Sequence, residues 1–187
     1  MTTPALAPPR TSPQTRFRRI ALFVRALIVL GVVVLVANIL SGWFVPDYAM
    51  KIIKLQTDLD NIPPLILRTR ILFAAWDALT SLVVLTALAH LWRLFGEYLH
   101  ARVFSVRALA SLRGFARWML ATAVVSPIYS SVLSVIVTWE NGPGHRQIAL
   151  DVSSDDYAAL LFGAVILAIS SVMAEAARIA EDNEGFV

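Results

Sequence analysis

Apolar residues gather along the chain in four long blocks, and polar or proline-containing segments separate them. The blocks cover about residues 20–45, 71–95, 115–139 and 157–177. A helix of about 20 apolar residues crosses a hydrocarbon core of about 30 Å. Each block therefore predicts one membrane span, and the chain is predicted to be an all-α, polytopic membrane protein with a four-helix transmembrane bundle.

Composition supports this interpretation and limits what else the chain contains. Of its 187 residues, 58% are hydrophobic and 16% charged, against about 45–50% and about 25% in soluble domains. Four spans leave little chain for a soluble domain. We predict one membrane domain over residues 20–178, a disordered basic tail over 1–19 and an acidic tail over 179–187. The absence of cysteine excludes disulfides, thiolate metal sites and cysteine nucleophiles.

The tryptophans lie at or near the ends of the blocks, where an amphipathic indole favours the headgroup interface. We predict that all five are interface anchors: Trp43, Trp76, Trp92, Trp118 and Trp139. Arginines cluster near the N-terminus and between the second and third blocks. Because positive charge is retained on the cytoplasmic side, both termini are predicted to lie inside.

The segment after the first block contains an apolar patch, and we predict a short interfacial helix there. Asn61 and Ile62 precede Pro63 and Pro64, which suggests that the second membrane helix starts early, with proline in its first turn. His145 has no second histidine nearby, so a solvated loop residue is expected rather than a metal ligand.

The loop between the second and third blocks is basic. Ser105 is a good N-cap, so the third helix is predicted to start near Val106, before it enters the membrane. Four arginines would then form a docking surface for anionic lipid headgroups or for a cytosolic protein. They are Arg102, Arg107, Arg113 and Arg117.

Hydroxyl residues recur every four positions along the third block. This hydroxyl stripe consists of Thr122, Ser126, Ser130, Ser134 and Thr138. Residues at this spacing share one helix face, where they allow a neighbouring helix to pack closely or line a conduction or ligand path. Pro127 is expected to kink the helix beside the stripe.

Polar groups on the first three spans predict an outer polar cluster, because hydrocarbon makes unpartnered polar groups costly. Its candidate members are Asn38, Asp77, Ser81, Tyr129, Ser130 and Ser134. They would form a pocket open to the outside. The alternative is hydration of Asp77 at the interface beside Trp76, together with helix pairing.

Charged groups near the inner span ends have simpler interpretations. Glu175 and Arg178 are spaced to pair on one helix, and Arg25 is expected to snorkel to the interface. His90 is expected to be an interfacial histidine rather than a proton switch. No motif has metal-ligand spacing, a glycine-rich phosphate loop or a nucleophile–base pair, so we predict neither an enzyme nor a cofactor.

Two segments resemble the DUF2975 family of four-span bacterial membrane proteins. They read LWRLFGEYLHARVFSVRALASLRGFARWML and AARIAEDNEGFV, and the resemblance covers about residues 90–187. It implies a bacterial cytoplasmic (inner) membrane and no assigned activity. Genes of the family often adjoin one for a small helix-turn-helix regulator, which implies membrane-linked regulation.

Two functions are consistent with these features. The first is a regulatory protein that binds a cytosolic partner, such as that regulator, through residues 96–117 and the tail near 178–187, without contacting nucleic acid directly. An outer or lipid-phase signal would tilt the third helix. The second is a small transporter or accessory membrane subunit that uses the hydroxyl stripe, with homo-oligomerisation supplying further spans.

Overall fold

The computed structural model of the chain describes residues 13–57, 59, 62–100, 105–142 and 144–184. Its helices are α1 (Pro13–Phe44), α2 (Pro46–Thr57), α3 (Leu67–Leu99), α4 (Val106–Thr138) and α5 (Ser154–Glu184), and a short 3₁₀ turn covers Trp139–Asn141. Four of them, α1, α3, α4 and α5, are long and apolar enough to cross a membrane. The predicted all-helical class and the four predicted spans are confirmed.

The helices extend beyond the predicted blocks at several ends. α1 begins at Pro13 rather than Ile20, so residues 13–19 are helical and not the disordered tail that the sequence predicted. Proline suits the first helical position because its missing N–H has no partner to lose there. α5 continues to Glu184 through Ala- and Glu-rich sequence that favours helix, so much of the predicted acidic tail is helical too.

The start of α3 corrects one prediction. Ile62 to Ile66 are not helical, and α3 begins at Leu67 with Ile66 as its extended N-cap. Pro63 and Pro64 therefore precede the helix instead of forming its first turn. A proline disfavours helical backbone at the residue before it, and two in succession keep this segment extended.

Contacts between the membrane helices run in one order: α1, α3, α4, α5. Within the described ranges, α1 contacts α3 but neither α4 nor α5, and α3 does not contact α5. Arg25 stacks on Trp92, and Arg70 donates a hydrogen bond to the carbonyl of Trp43, so α1 and α3 are antiparallel. α4 is consequently flanked by a helix on each side and is the most buried of the four spans.

Two ends of the molecule can now be defined. At the arginine-rich end, α1 starts, α3 ends, α4 starts and α5 ends; at the loop end lie α2, the 3₁₀ turn and the segment 142–153. The confirmed helix α2 does not lie free of the spans. Its buried Ala49 and Ile53 pack with Phe73 of α3 and with Leu133 and Val137 of α4, which closes the loop end with an apolar core.

Two glycines allow neighbouring helices to cross closely: one on α4 faces α3, and one on α5 faces α4. A Cβ at Gly114 of α4 would lie 2.8 Å from Cγ of His90 on α3. A Cβ at Gly163 of α5 would lie 3.0 Å from Leu120 and 3.2 Å from the carbonyl oxygen of Ala116. Real Cβ atoms essentially never approach within 3.0 Å, so Gly114 in particular sets the spacing of α3 and α4.

Candidate functional site

Asp77 and Tyr129 form the polar link between α3 and α4. The hydroxyl of Tyr129 donates a hydrogen bond to Oδ1 of Asp77 over 3.2 Å. One residue earlier, Nε1 of Trp76 lies 3.4 Å from the carbonyl oxygen of Tyr129, which is a long and therefore weak bond. Both side chains are partly buried, so Asp77 has a protein partner in addition to any water.

A polar pocket of about 180 Å³ opens beside this link, between α3, α4 and the end of α2. Its lining combines hydroxyl, carboxyl and amide groups with valine side chains. The lining residues are Gln56, Asp77, Thr80, Ser81, Val83, Val84, Thr122, Val125, Ser126 and Tyr129.

Two hydroxyls of the pocket, those of Thr80 and Thr122, present acceptors rather than donors. Thr80 donates to the carbonyl oxygens of Trp76 and Asp77, at 3.0 and 3.1 Å, and Thr122 donates to that of Trp118 at 2.9 Å. Since each hydroxyl has one proton, their lone pairs remain for a ligand. With the carboxylate of Asp77 and no basic side chain in the lining, the pocket suits a donor-rich or positively charged molecule.

The predicted outer polar cluster is only partly assembled around this pocket. Asp77, Ser81 and Tyr129 line it. Asn38 is exposed on α1, which does not contact α4. Ser130 and Ser134 have a different role, because they bind the loop end of the chain.

The loop-end half of the hydroxyl stripe, which consists of Ser130, Ser134 and Thr138, holds an extended segment of backbone. The N–H of Gln147 donates to Oγ1 of Thr138 over 3.1 Å, that of Ala149 to Oγ of Ser134 over 2.9 Å, and that of Asp151 to Oγ of Ser130 over 3.4 Å. Four helical residues rise about 6 Å, and two extended residues advance about 6.6 Å. The spacing of every fourth hydroxyl on the helix therefore nearly equals the spacing of every second N–H in the extended segment, and three successive hydroxyl–N–H pairs stay in register.

Each of these hydroxyls also donates a hydrogen bond within α4. Thr138 donates to Ser134, Ser134 to Ser131 and Ser130 to Pro127, all at backbone carbonyl oxygens and over 2.7 to 3.0 Å. Donor and acceptor functions are thus both used. The loop-end half of the stripe therefore binds loop backbone. This role was in neither alternative that the sequence left, which were a seam for a neighbouring helix and a conduction or ligand path.

The rest of the stripe, Thr122 and Ser126, lines the polar pocket. Beyond the stripe, Asp156 lies in the first turn of α5. Asp156 accepts hydrogen bonds from the N–H and hydroxyl of Ser153, at 2.8 and 3.0 Å, while its own N–H donates to that hydroxyl. This reciprocal arrangement is a capping box, and it fixes where the extended segment ends and α5 begins.

At the arginine-rich end, Ser105 caps α4 by accepting from the N–H of Ala108 over 3.1 Å, as predicted. Arg107 and Arg117 are exposed, whereas Arg113 is partly buried and its Nε is enclosed without a hydrogen-bond partner. Arg102, the fourth predicted docking residue, lies outside the described residues. The predicted Glu175–Arg178 pair is present at 2.6 Å.

The predicted tryptophan anchors differ in their surroundings. Trp43, Trp92 and Trp139 are exposed, and the last two carry arginine guanidinium groups, from Arg25 and Arg146, stacked over their rings at 3.6 and 3.7 Å. Trp76 and Trp118 are only partly exposed. Trp76 turns its N–H toward α4, so it contributes to the α3–α4 contact.

Comparison with known families places the chain. The model of the family described as "Protein of unknown function (DUF2975)" matches residues 54–186. The chain belongs to the DUF2975 family. The match begins earlier than the resemblance at residues 90–187 had suggested, and it covers the whole of α3, α4 and α5. No curated protein and no solved structure matches the chain.

In this DUF2975 member, sequence reasoning missed Gln56, Thr122 and Ser126 as pocket residues. Thr122 and Ser126 belong to the predicted stripe, and their spacing from Tyr129 was a usable signal. Gln56 comes from α2, whose position over the spans depends on tertiary packing. Among the described residues, no group of three histidine, cysteine or acidic side chains could hold a metal ion.

Proposed function

We propose that the chain is a regulatory protein of the bacterial cytoplasmic membrane that binds a small ligand at one end and a cytosolic protein at the other. The continuity of α4 carries this proposal. One helix of 33 residues bears Arg107 and Arg117 near its start and contributes Ser126 and Tyr129 to the polar pocket. A change in its tilt at the pocket would displace the arginines at its other end.

The ligand expected in the pocket is small and donor-rich, and a protonated amine fits best. The acceptors described above and the carboxylate of Asp77 favour positive charge, and the volume of about 180 Å³ limits the size. Asp77 sits at the α3–α4 link, so a ligand that binds its carboxylate competes with the hydroxyl of Tyr129. This competition would couple occupancy to the packing of α4.

The partner expected at the arginine-rich end has an acidic surface. Arg107 and Arg117 are exposed and form no ion pair with a described carboxylate. Anionic headgroups would also attract them. Lipid attraction depends on charge alone, whereas a protein partner requires these particular arginines, and this difference makes the two cases separable.

The test is capture of the tagged protein from its native membranes in mild detergent, followed by mass spectrometry. We expect a stoichiometric soluble protein that is lost from Arg107→Ala/Arg117→Ala and retained by the matched control Arg18→Ala/Arg19→Ala, which removes two exposed arginines of α1 at the same end. We also expect Asp77→Ala to alter its yield. Recovery of the chain alone, or equal losses from both double variants, would contradict the regulatory proposal.

The proposal requires the arginine-rich end to face the cytosol. Because the chain contains no cysteine, single cysteines report this directly. Val106 and Ile148 are 76% and 75% exposed at opposite ends. A membrane-impermeant thiol reagent applied to intact cells should label Ile148→Cys and leave Val106→Cys unlabelled until the cells are opened; the reverse pattern would refute a cytosolic partner.

The transporter alternative has less support. A path along the hydroxyl stripe would need free hydroxyls, and those of Ser130, Ser134 and Thr138 are bound both to α4 and to the extended segment. Flux of a small amine into liposomes that contain the purified chain, abolished by Asp77→Ala, would favour transport over regulation.

A further inference from the structure

A second cavity, apolar and separate from the polar pocket, lies between α1 and α3 toward the arginine-rich end. Its volume is about 400 Å³. The side chains that form its walls include Val29, Val32, Val33, Leu85, Leu88 and Trp92. We call this cavity the α1–α3 groove.

The groove lies along α1 and α3 between two close contacts nearer their ends. Toward the loop end, a Cβ on Gly42 would be 3.3 Å from the ring of Phe73. At the other end, Arg25 covers Trp92. Between them, α1 presents Gly31 and short valines, and a Cβ on Gly31 would reach only Leu88, at 3.9 Å.

The groove is positively charged at one end and apolar elsewhere. Arg93 is exposed and lines the groove next to Trp92. The guanidinium of Arg25 lies 3.6 Å from the centre of the Trp92 ring, and its Nε is enclosed without a hydrogen-bond partner. Neither arginine forms an ion pair with any carboxylate in the described part of the chain. One end of the apolar slot therefore has two unpaired cationic side chains beside it, Arg93 in its lining and Arg25 over the tryptophan that lines it.

We propose that the α1–α3 groove binds an anionic phospholipid, with an acyl chain along the valines and the phosphate at Arg25 and Arg93. Basic pockets between membrane helices bind anionic headgroups, and the adjoining slot matches the apolar part of the same molecule. A zwitterionic lipid also has an acyl chain for the slot, but the cation of its headgroup would be repelled by the two arginines. A helix from a second copy would fill the slot without neutralising either charge.

The experiment uses quenching of tryptophan fluorescence by lipids with brominated acyl chains. The full chain, purified in an uncharged detergent, is titrated with brominated phosphatidylglycerol and, separately, with brominated phosphatidylcholine. We expect phosphatidylglycerol to half-saturate at a concentration about 25-fold lower, because each of the two arginines near the headgroup contributes about a fivefold affinity gain. Trp92→Phe should remove most of the saturable quenching, since Trp92 lines the groove.

Two variants separate the headgroup from the slot. Arg25→Gln/Arg93→Gln should abolish the preference for phosphatidylglycerol, while Arg107→Gln/Arg117→Gln, which removes two arginines from α4, should keep it. Val32→Phe fills the slot without changing charge and should weaken both lipids. Circular dichroism verifies that each variant is folded.

Several outcomes would overturn the proposal. They are equal quenching by the two lipids, a preference for phosphatidylglycerol that survives Arg25→Gln/Arg93→Gln, binding of both lipids that Val32→Phe leaves unchanged, and equal losses from the two arginine pairs. Protection of Trp92 from quenching by brominated lipid that increases with protein concentration would also overturn the proposal, because a second copy of the chain would then occupy the groove.

Discussion

At the loop end of α4, Ser130, Ser134 and Thr138 each accept a backbone N–H and donate to a carbonyl oxygen of their own helix. At the arginine-rich end of the same helix, Arg107 and Arg117 are exposed and pair with no described carboxylate. The polar groups of the first region are satisfied by the chain itself. Those of the second are left for molecules outside it.

This contrast separates structure from recognition within one helix. A hydroxyl that already donates its proton and accepts a hydrogen bond has little hydrogen-bonding capacity left for a ligand. The loop-end half of the stripe therefore anchors the extended segment to α4. A guanidinium has five donors and no acceptor, and the arginines of α4 have little intramolecular use for them. Polar residues in the two regions should therefore respond differently to substitution.

The largest effect is expected from removing the anchoring hydroxyls together. Ser130→Ala/Ser134→Ala/Thr138→Ala leaves three N–H groups without acceptors, and at about 1 kcal/mol per bond the free energy of unfolding should fall by about 3 kcal/mol. Thermal unfolding in detergent measures this. Hydrogen exchange at Gln147, Ala149 and Asp151 should accelerate at the same time.

The control for the triple variant is Ser131→Ala, because the hydroxyl of Ser131 bonds only to the carbonyl oxygen of Pro127, at 2.8 Å, among the residues described. It should leave exchange in the 147–151 segment unchanged. Unchanged exchange in the triple variant as well would mean that the stripe does not hold the segment.

An intermediate effect is expected at the α3–α4 crossing, which lies between the two regions. Gly114→Ala forces a Cβ against the ring of His90 and should destabilise the protein by about 2 kcal/mol, the usual cost of overpacking. Gly96→Ala, where no atom lies within 4 Å of the added carbon, should be neutral or slightly stabilising. If steric conflict is the cause, His90→Ala should restore much of the stability that Gly114→Ala loses.

The smallest effect is expected at the polar pocket. Tyr129→Phe removes the hydrogen bond to Asp77, and interhelical hydrogen bonds in membranes average about 0.6 kcal/mol. A double-mutant cycle with Asp77→Ala, which removes the accepting oxygen, measures the coupling. Tyr98→Phe is the control, because Tyr98 packs edge-on against Phe95 and its hydroxyl bonds to no described side chain. Zero coupling would show that the pair adds nothing to the packing of α3 and α4.

Four features could be predicted from the residues alone: the span count, the helical class, the Ser105 cap and the face on which the stripe lies. These depend on hydrophobic length, local capping and helical period, which are properties of neighbouring residues. The sequence also placed Asp77 and Tyr129 in one cluster, because antiparallel spans bring residues of equal depth together.

Which groups bind the polar side chains of each helix depends on how distant segments pack, and the residues alone could not predict it. Whether Ser134 meets a helix, a ligand or a loop depends on the path of residues 145–153. The alternation of Ile148, Leu150 and Val152 indicates an extended segment but not what that segment packs against. Asn38 missed the cluster because α1 packs on α3 and does not reach α4. Gln56 joined the pocket because α2 folds over the ends of α3 and α4. Local sequence specifies which groups need partners, but the partners themselves are chosen by packing between segments distant in the chain.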